Sequence, residues 1–194
     1  MKSLKRLFKS RFRIRENIKI VHLDKDGNAK PIFQENKLFT FLLKRAIVKE
    51  TFPKIPFLLG KWAFAKNISN LITNAGFAGV ASRINGDGAE AAFTYIAVGT
   101  GTNAANVTDT TLQTESTDSG LSRAAATASR VTTDVSNDTA QLVKTFSVTG
   151  TKAITESGMF NASSAGALLA RQTFSAVNVV DGDSLQMTWK ADVD

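Results

Sequence analysis

The clearest pattern of apolar and polar positions lies at the end of the chain. Leu185, Met187, Trp189, Ala191 and Val193 share one parity, and Gln186, Thr188, Lys190 and Asp192 share the other. Unbroken period-two alternation predicts a strand with one buried face. A one-residue slip would expose the whole apolar set, so register is firm. Burying each large member contributes roughly 1.5–3 kcal/mol. Earlier runs are weaker versions of the same signal. Ala91–Val98 is β-rich and ends at the turn Gly99-Thr-Gly-Thr102. Leu142, Phe146 and Val148 alternate with polar or small residues, except where Lys144 interrupts the apolar face. Ala167–Val177 carries Leu168, Leu169, Phe174 and Val177, while Leu121–Val131 is Ala-rich and weakly patterned. Asn70–Arg83, with Leu71, Ile72, Phe77 and Val80, predicts a short helix before a turn at Asn85-Gly-Asp-Gly88. Asn103–Ser119 is rich in Thr, Asp, Asn and Ser and reads as an exposed loop with few apolar anchors. Short strands, Gly-rich turns and little helix predict a mainly β fold, an antiparallel β-sandwich or barrel.

The front of the chain is patterned differently. Leu4, Leu7, Phe8 and Phe12 recur at helical spacing among Lys2, Lys5, Arg6, Lys9, Arg11, Arg13 and Arg15, with no acid among the first fifteen residues. That predicts a short basic amphipathic helix. Asn17–Leu23 is a β-like run, Asp24–Asn28 a turn containing Asp-Gly, and Lys30–Phe33 a second run, together a β-hairpin. The same stretch imitates a calcium loop, with Asp24, Asp26, Asn28 and Glu35 at positions 1, 3, 5 and 12. Ala29 stands where the sharp bend of such a loop needs glycine, so the hairpin turn is the favoured reading. Asn36 caps a predicted helix over Lys37–Lys49, which Thr51-Phe-Pro53 stops. Phe57, Leu58, Leu59, Trp62 and Phe64 then form an apolar cluster, read as core or as a buried partner contact.

Charge divides the chain where the pattern changes. Residues 1–66 hold 17 Lys/Arg and 5 Asp/Glu, a net +12; residues 67–194 hold 7 and 12, a net −5. Eight of the 13 Phe lie in the first segment and 32 Ser/Thr in the second. A boundary near Lys66-Asn67 follows, separating a basic, aromatic-rich attachment region (1–66) from a Ser/Thr-rich β domain (67–194). The basic arm suits an acidic protein surface, nucleic acid phosphates or an anionic membrane. If all seven charges met phosphates, log affinity would fall with log salt at a slope of about −6.

Composition excludes several chemistries. With no cysteine there is no disulfide, thiol catalysis or common zinc-finger site. His22 is the single histidine, leaving no second imidazole for a His-rich metal site, and it reads as an ordinary strand residue. No apolar run reaches the roughly 18 residues of a membrane span. The glycines at 99 and 101 lack the Lys and the spacing of a phosphate loop. The acids sit mostly in polar loops, and no catalytic, cofactor or metal residues are nominated.

Three strings occur in order: NLITNAGFAGVASRINGDG, FTYIAVGTGTNAANVTDTTLQTE, and ITESGMFNASSAGALLARQTFSAVNVVDGDSLQMTWKADV. Together they resemble a recurrent module of tailed-bacteriophage virion proteins, described as tail-fibre, tail or other structural components. The resemblance covers about Asn70–Val193. It implies a non-enzymatic virion component, made in the bacterial host cytoplasm and repeated as a homo-oligomer on a tail, neck or capsid support. Residues 1–66 lie outside it. Their basic arm is expected to dock on other virion proteins or, as the alternative, on packaged DNA. Glu156 and Arg171 fall within the resembling motifs on neighbouring predicted strands and are expected to form a cross-strand ion pair, the alternative being two independent surface charges; paired at the surface, they would contribute about 0–1 kcal/mol.

Overall fold

A computed structural model describes residues 14–35, 60–63, 66–88 and 90–193. The alternating C-terminal run is the strand β13 (Ser184–Val193). Leu185, Met187 and Trp189 are fully buried along it, while Val193 at its end is exposed. On one side β13 pairs with β1 (Ile14–Leu23), from Ile14↔Val193 to Leu23↔Ser184. On the other it pairs with β10 (Thr139–Ser147), which in turn pairs with β9 (Thr127–Val131). The outer edge of β1 is shared between β2 (Ala29–Lys30) near its end and β5 (Lys66–Ser69) near its start. The larger sheet thus has six strands, all paired antiparallel.

The smaller sheet runs β6 (Leu71–Ile72), β12 (Leu168–Val179), β11 (Lys152–Phe160), β7 (Tyr95–Gly99), β8 (Ala124–Ala125) in that order, also antiparallel. A hairpin of β3 (Ile32–Glu35) and β4 (Gly60–Ala63) stands apart. The chain passes directly between sheets twice: β5 leads into β6 through Asn70, and β8 into β9 through Ala126, whose amide donates to the Thr94 carbonyl at 2.8 Å. The two sheets share one core. Ile18, Ile20, Leu142, Phe146, Leu185, Met187 and Trp189 pack with Ile96, Val98, Ile154, Met159, Leu169, Val177 and Val179. One polar link crosses it: Trp189 Nε1 donates to Ser157 Oγ at 3.1 Å, and that hydroxyl donates to the Ala97 carbonyl at 2.8 Å. The link satisfies the indole N–H that burial would otherwise strand.

Several sequence expectations are corrected. The helix predicted over Asn70–Arg83 begins later, as α1 (Asn74–Asn85), because Leu71 and Ile72 pair with β12. Thr73 caps it, its hydroxyl accepting from the Gly76 amide at 2.9 Å. The run Ala91–Val98 is strand only from Tyr95. The expected exposed loop at Asn103–Ser119 buries Leu112 and Ser116. Lys144, which breaks the apolar alternation of β10, lays its ammonium 5.8 Å from the Phe146 ring centre, where the ring face attracts the cation.

The compositional boundary at Lys66-Asn67 does not divide the sheet. β5 straddles it, and β1 places Ile18 and Ile20 in the shared core at zero exposure. Charge and Ser/Thr content report what faces solvent, whereas strand pairing follows the apolar face, so the two need not change at one point. The expected hairpin turn is present between β1 and β2, with His22↔Lys30 and Leu23↔Ala29 paired across it, but the rest of the second run, Ile32 and Phe33, leaves β1 and pairs with β4. The predicted helices over 1–15 and 37–49 fall on residues outside the described ones, apart from Ile14 and Arg15, which belong to β1 opposite Val193 and Asp192.

Candidate functional site

The smaller sheet has a second face, away from the shared core. Alternation alone would put Glu156 on the same side as Ile154, but a register shift between these two residues turns Glu156 outward. There Ala97, Leu112, Phe160 and Leu168 form a small apolar cluster. The loop after β7 folds over this face, so a carboxylate aimed away from one core meets a second cover.

Glu156 is completely buried and Arg171 nearly so. Arg171 Nε and Nη2 both reach Glu156 Oε2, at 2.9 and 2.8 Å. Arg171 Nη1 donates to Asp109 Oδ2 at 2.8 Å, and Nη2 to the Asn103 carbonyl at 3.1 Å. Glu156 Oε1 accepts from the amides of Gly101 at 3.0 Å and Thr114 at 2.7 Å, and Oε2 from the Gln113 amide at 3.0 Å. A Cβ at Gly99 or Gly101 would run into this carboxylate. That explains why the YIAVGTGT turn carries glycine at both positions. Burial works against the Arg171 charge, but Asp109 and Glu156 overcome it and hold the guanidinium above its ordinary pKa. The expected pair is therefore real and cross-strand, but it is not at the surface. The sheet lies beneath it and the 100–115 loop above. Beside it lies a hollow of about 400 Å³, lined by Asn103, Thr108, Asp109, Gln113 and Arg171 among others.

A second knot sits at the end of the sandwich where the front hairpin meets the β12–β13 turn. Asp183 is buried, and Oδ2 lies 2.7 Å from His22 Nε2. Lys30 Nζ donates to Oδ1 at 2.7 Å and Oδ2 at 2.9 Å, and the Val180 amide to Oδ2 at 3.0 Å. Burial disfavours the Asp183 charge; the Lys30 ammonium, the Val180 amide and His22 outweigh it and hold the carboxyl down at about 2. The main chain of Asp183 also accepts from Val148, so three turns meet at one residue. A cavity of about 560 Å³ opens beside His22 and Lys30, walled by Pro31, Ile32, Ala176, Val177 and Asn178. His22 is thus an anchored residue with an acid 161 positions away, a partner that no local spacing reveals.

A third anchor is Arg123. Its guanidinium grips Glu115 at 2.9 and 2.6 Å, donates to the Ala165 carbonyl at 2.6 Å, and lies 3.5 Å from the Phe160 ring centre. Sequence reasoning passed over it because Glu115 and Phe160 come from segments read as separate.

The other nominated residues are placed as follows. Lys2, Lys5, Arg6, Lys9, Arg11 and Arg13 lie outside the described residues, as do Phe57, Leu58, Leu59 and Phe64; Trp62 is in β4, paired with Phe33. Of the calcium-like set, Asp24 Oδ1 accepts from the amides of Asp26 at 2.9 Å and Asn28 at 2.8 Å, which closes the hairpin turn; Glu35 lies in β3. Among the described residues no group of three or more His, Asp or Glu is arranged to hold a metal ion. No described helix is long and apolar enough to cross a membrane. No family model, curated protein or solved structure matches the chain.

Proposed function

We propose that this chain is a non-enzymatic structural component of a tailed-phage virion, held on a tail, neck or capsid partner by its basic N-terminal arm and repeated as a homo-oligomer. The observation that carries the reading is how the buried ionic side chains are used. Glu156, Arg171 and Asp183 each spend their charge on fixing a loop or turn to a sheet. A body built this way suits a part whose work is to keep its shape under attachment. The ordered virion-like motifs support the same reading, and the net +12 of residues 1–66 supplies the means of attachment. Residues 1–13 precede the described strand β1 and carry six of the arm's seven cations.

Deleting residues 1–13 tests this. The truncated protein is expected to keep the unfolding transition of the full chain and to be lost from assembled particles. Particles that retain it at full occupancy would overturn the reading. The excess of positive charge at the front also favours a second reading, an arm on packaged DNA. It predicts that affinity for unrelated duplexes falls steeply with salt, with a slope of about −5 for the six charges of residues 1–13. Absence of binding at low salt removes it.

A further inference from the structure

The edge strand β9 has a feature that none of these roles uses. The Val193 amide donates to the Asp138 carbonyl, and the Val148 amide to the Asp183 carbonyl. With the register Thr139↔Asp192 to Ser147↔Ser184, these bonds make the even-numbered residues of β10 the ones that exchange hydrogen bonds with β13. The odd-numbered residues then face β9, so Thr127, Ser129 and Val131 bond to β10 through Val143↔Thr127, Gln141↔Ser129 and Thr139↔Val131. The amide and carbonyl groups of Ala128 and Arg130 therefore point away from the sheet. No described strand lies beyond β9, and residues 127–130 are exposed. The usual protections of such an edge are proline, a bulge or several charges. This one carries only Arg130.

We propose that β9 is a self-docking edge, and that two copies join there by antiparallel β9–β9 pairing about a twofold axis at Ser129. The proposal gives self-association a surface and stands on β9 alone, whatever the protein's destination. The sequence TASRV is self-complementary in that register. Ala128 of each copy lies opposite Arg130 of the other, and these are the two residues whose outward groups are open, so four main-chain hydrogen bonds form. Ser129 meets its own copy as the close, non-hydrogen-bonded pair, where a small side chain fits. The two Arg130 side chains sit diagonally and are not directly opposed, which avoids the worst like-charge placement. Closed twofold pairing joins the two six-stranded sheets into one and leaves no open β9 edge to propagate. Five residues a side bury well under the roughly 800 Å² per partner of a standard complex, so pairing rises with concentration and is strongest where copies are already held together.

The chain has no cysteine, which makes a single engineered thiol a clean reporter. Ser129→Cys puts two thiols face to face at the axis, within disulfide reach. Thr145→Cys puts an exposed thiol on β10, past the end of β9 and outside the proposed β9–β9 seam. In the purified full-length chain under mild oxidation, Ser129→Cys is expected to give a covalent dimer, more so as concentration rises, while Thr145→Cys stays monomeric. Adding Ala128→Pro to Ser129→Cys removes an outward amide that β10 does not use; it is expected to abolish cross-linking and keep the circular dichroism spectrum of the sheet. Equal cross-linking at both positions, or a Ser129→Cys chain that stays monomeric into the millimolar range, would overturn the proposal. Both are read without particles, so they are independent of the truncation result.

Discussion

Two buried carboxylates, Glu156 and Asp183, do similar electrostatic work for different parts of the molecule. Glu156 takes three amides from a single loop and one guanidinium from the adjacent strand. Asp183 takes one amide from its own turn, and its other partners, His22 and Lys30, come from the opposite end of the chain. The first fastens a loop onto a sheet within the body. The second fastens the basic front to the body. Removing the first should loosen one loop and the layer below it, whereas removing the second should loosen the join between two regions of opposite charge.

The largest effect is expected from Glu156→Ala. It strands a nearly buried guanidinium and three amides, and breaking a buried pair from one side costs about 3–5 kcal/mol. Denaturant unfolding measures the loss, and hydrogen exchange should quicken at Gly101, Gln113 and Thr114 more than along β1. Uniform quickening in both regions would erase the distinction. Asp183→Asn should cost less, about 1.5–3 kcal/mol, because an amide can still accept from Val180 while losing its charge-assisted partners. Its exchange signature should fall on the β1–β2 hairpin.

The two variants also separate by pH. The folded value of Asp183, about 2, lies below the roughly 3.9 of an unfolded chain. Its contribution is full above about pH 4 and is lost as pH falls through about 2. The gap in melting temperature between the wild type and Asp183→Asn should therefore narrow as pH falls below 4. A gap that widened below pH 4 would contradict the assignment. The smallest effect belongs to Lys152→Ala. Its ion pair with the well-exposed Asp118 should be worth less than about 1 kcal/mol in the same assay.

Alternation made β13 legible from Leu185 to Ala191, because a half-buried strand writes its burial into parity; the pattern fails at the end, where Asp192 is buried and Val193 exposed. The front hairpin was legible from its Asp-Gly turn. Glu156 and Arg171 could be paired because they lie on neighbouring strands, but their burial could not be read. It depends on a register shift at residues 154–156 that no Gly or Pro marks, and on a loop whose polar composition suggested solvent. That loop is polar because its amides and side chains serve the knot beneath it. His22 and Asp183 were illegible as a pair because only the pairing of β1 with β13 brings residues 161 apart together. The same pairing defeated the boundary at Lys66-Asn67: charge changes sign there, but the apolar parity of Ile18 and Ile20 already belongs to the core.

The most direct test of the central claim is the position of this chain in an imaged intact particle. The account predicts repeated copies of the two-sheet body on a symmetric support, with residues 1–13 enclosed by a neighbouring protein. Particles without the chain, or with the arm pointing freely into solvent from every copy, would contradict it.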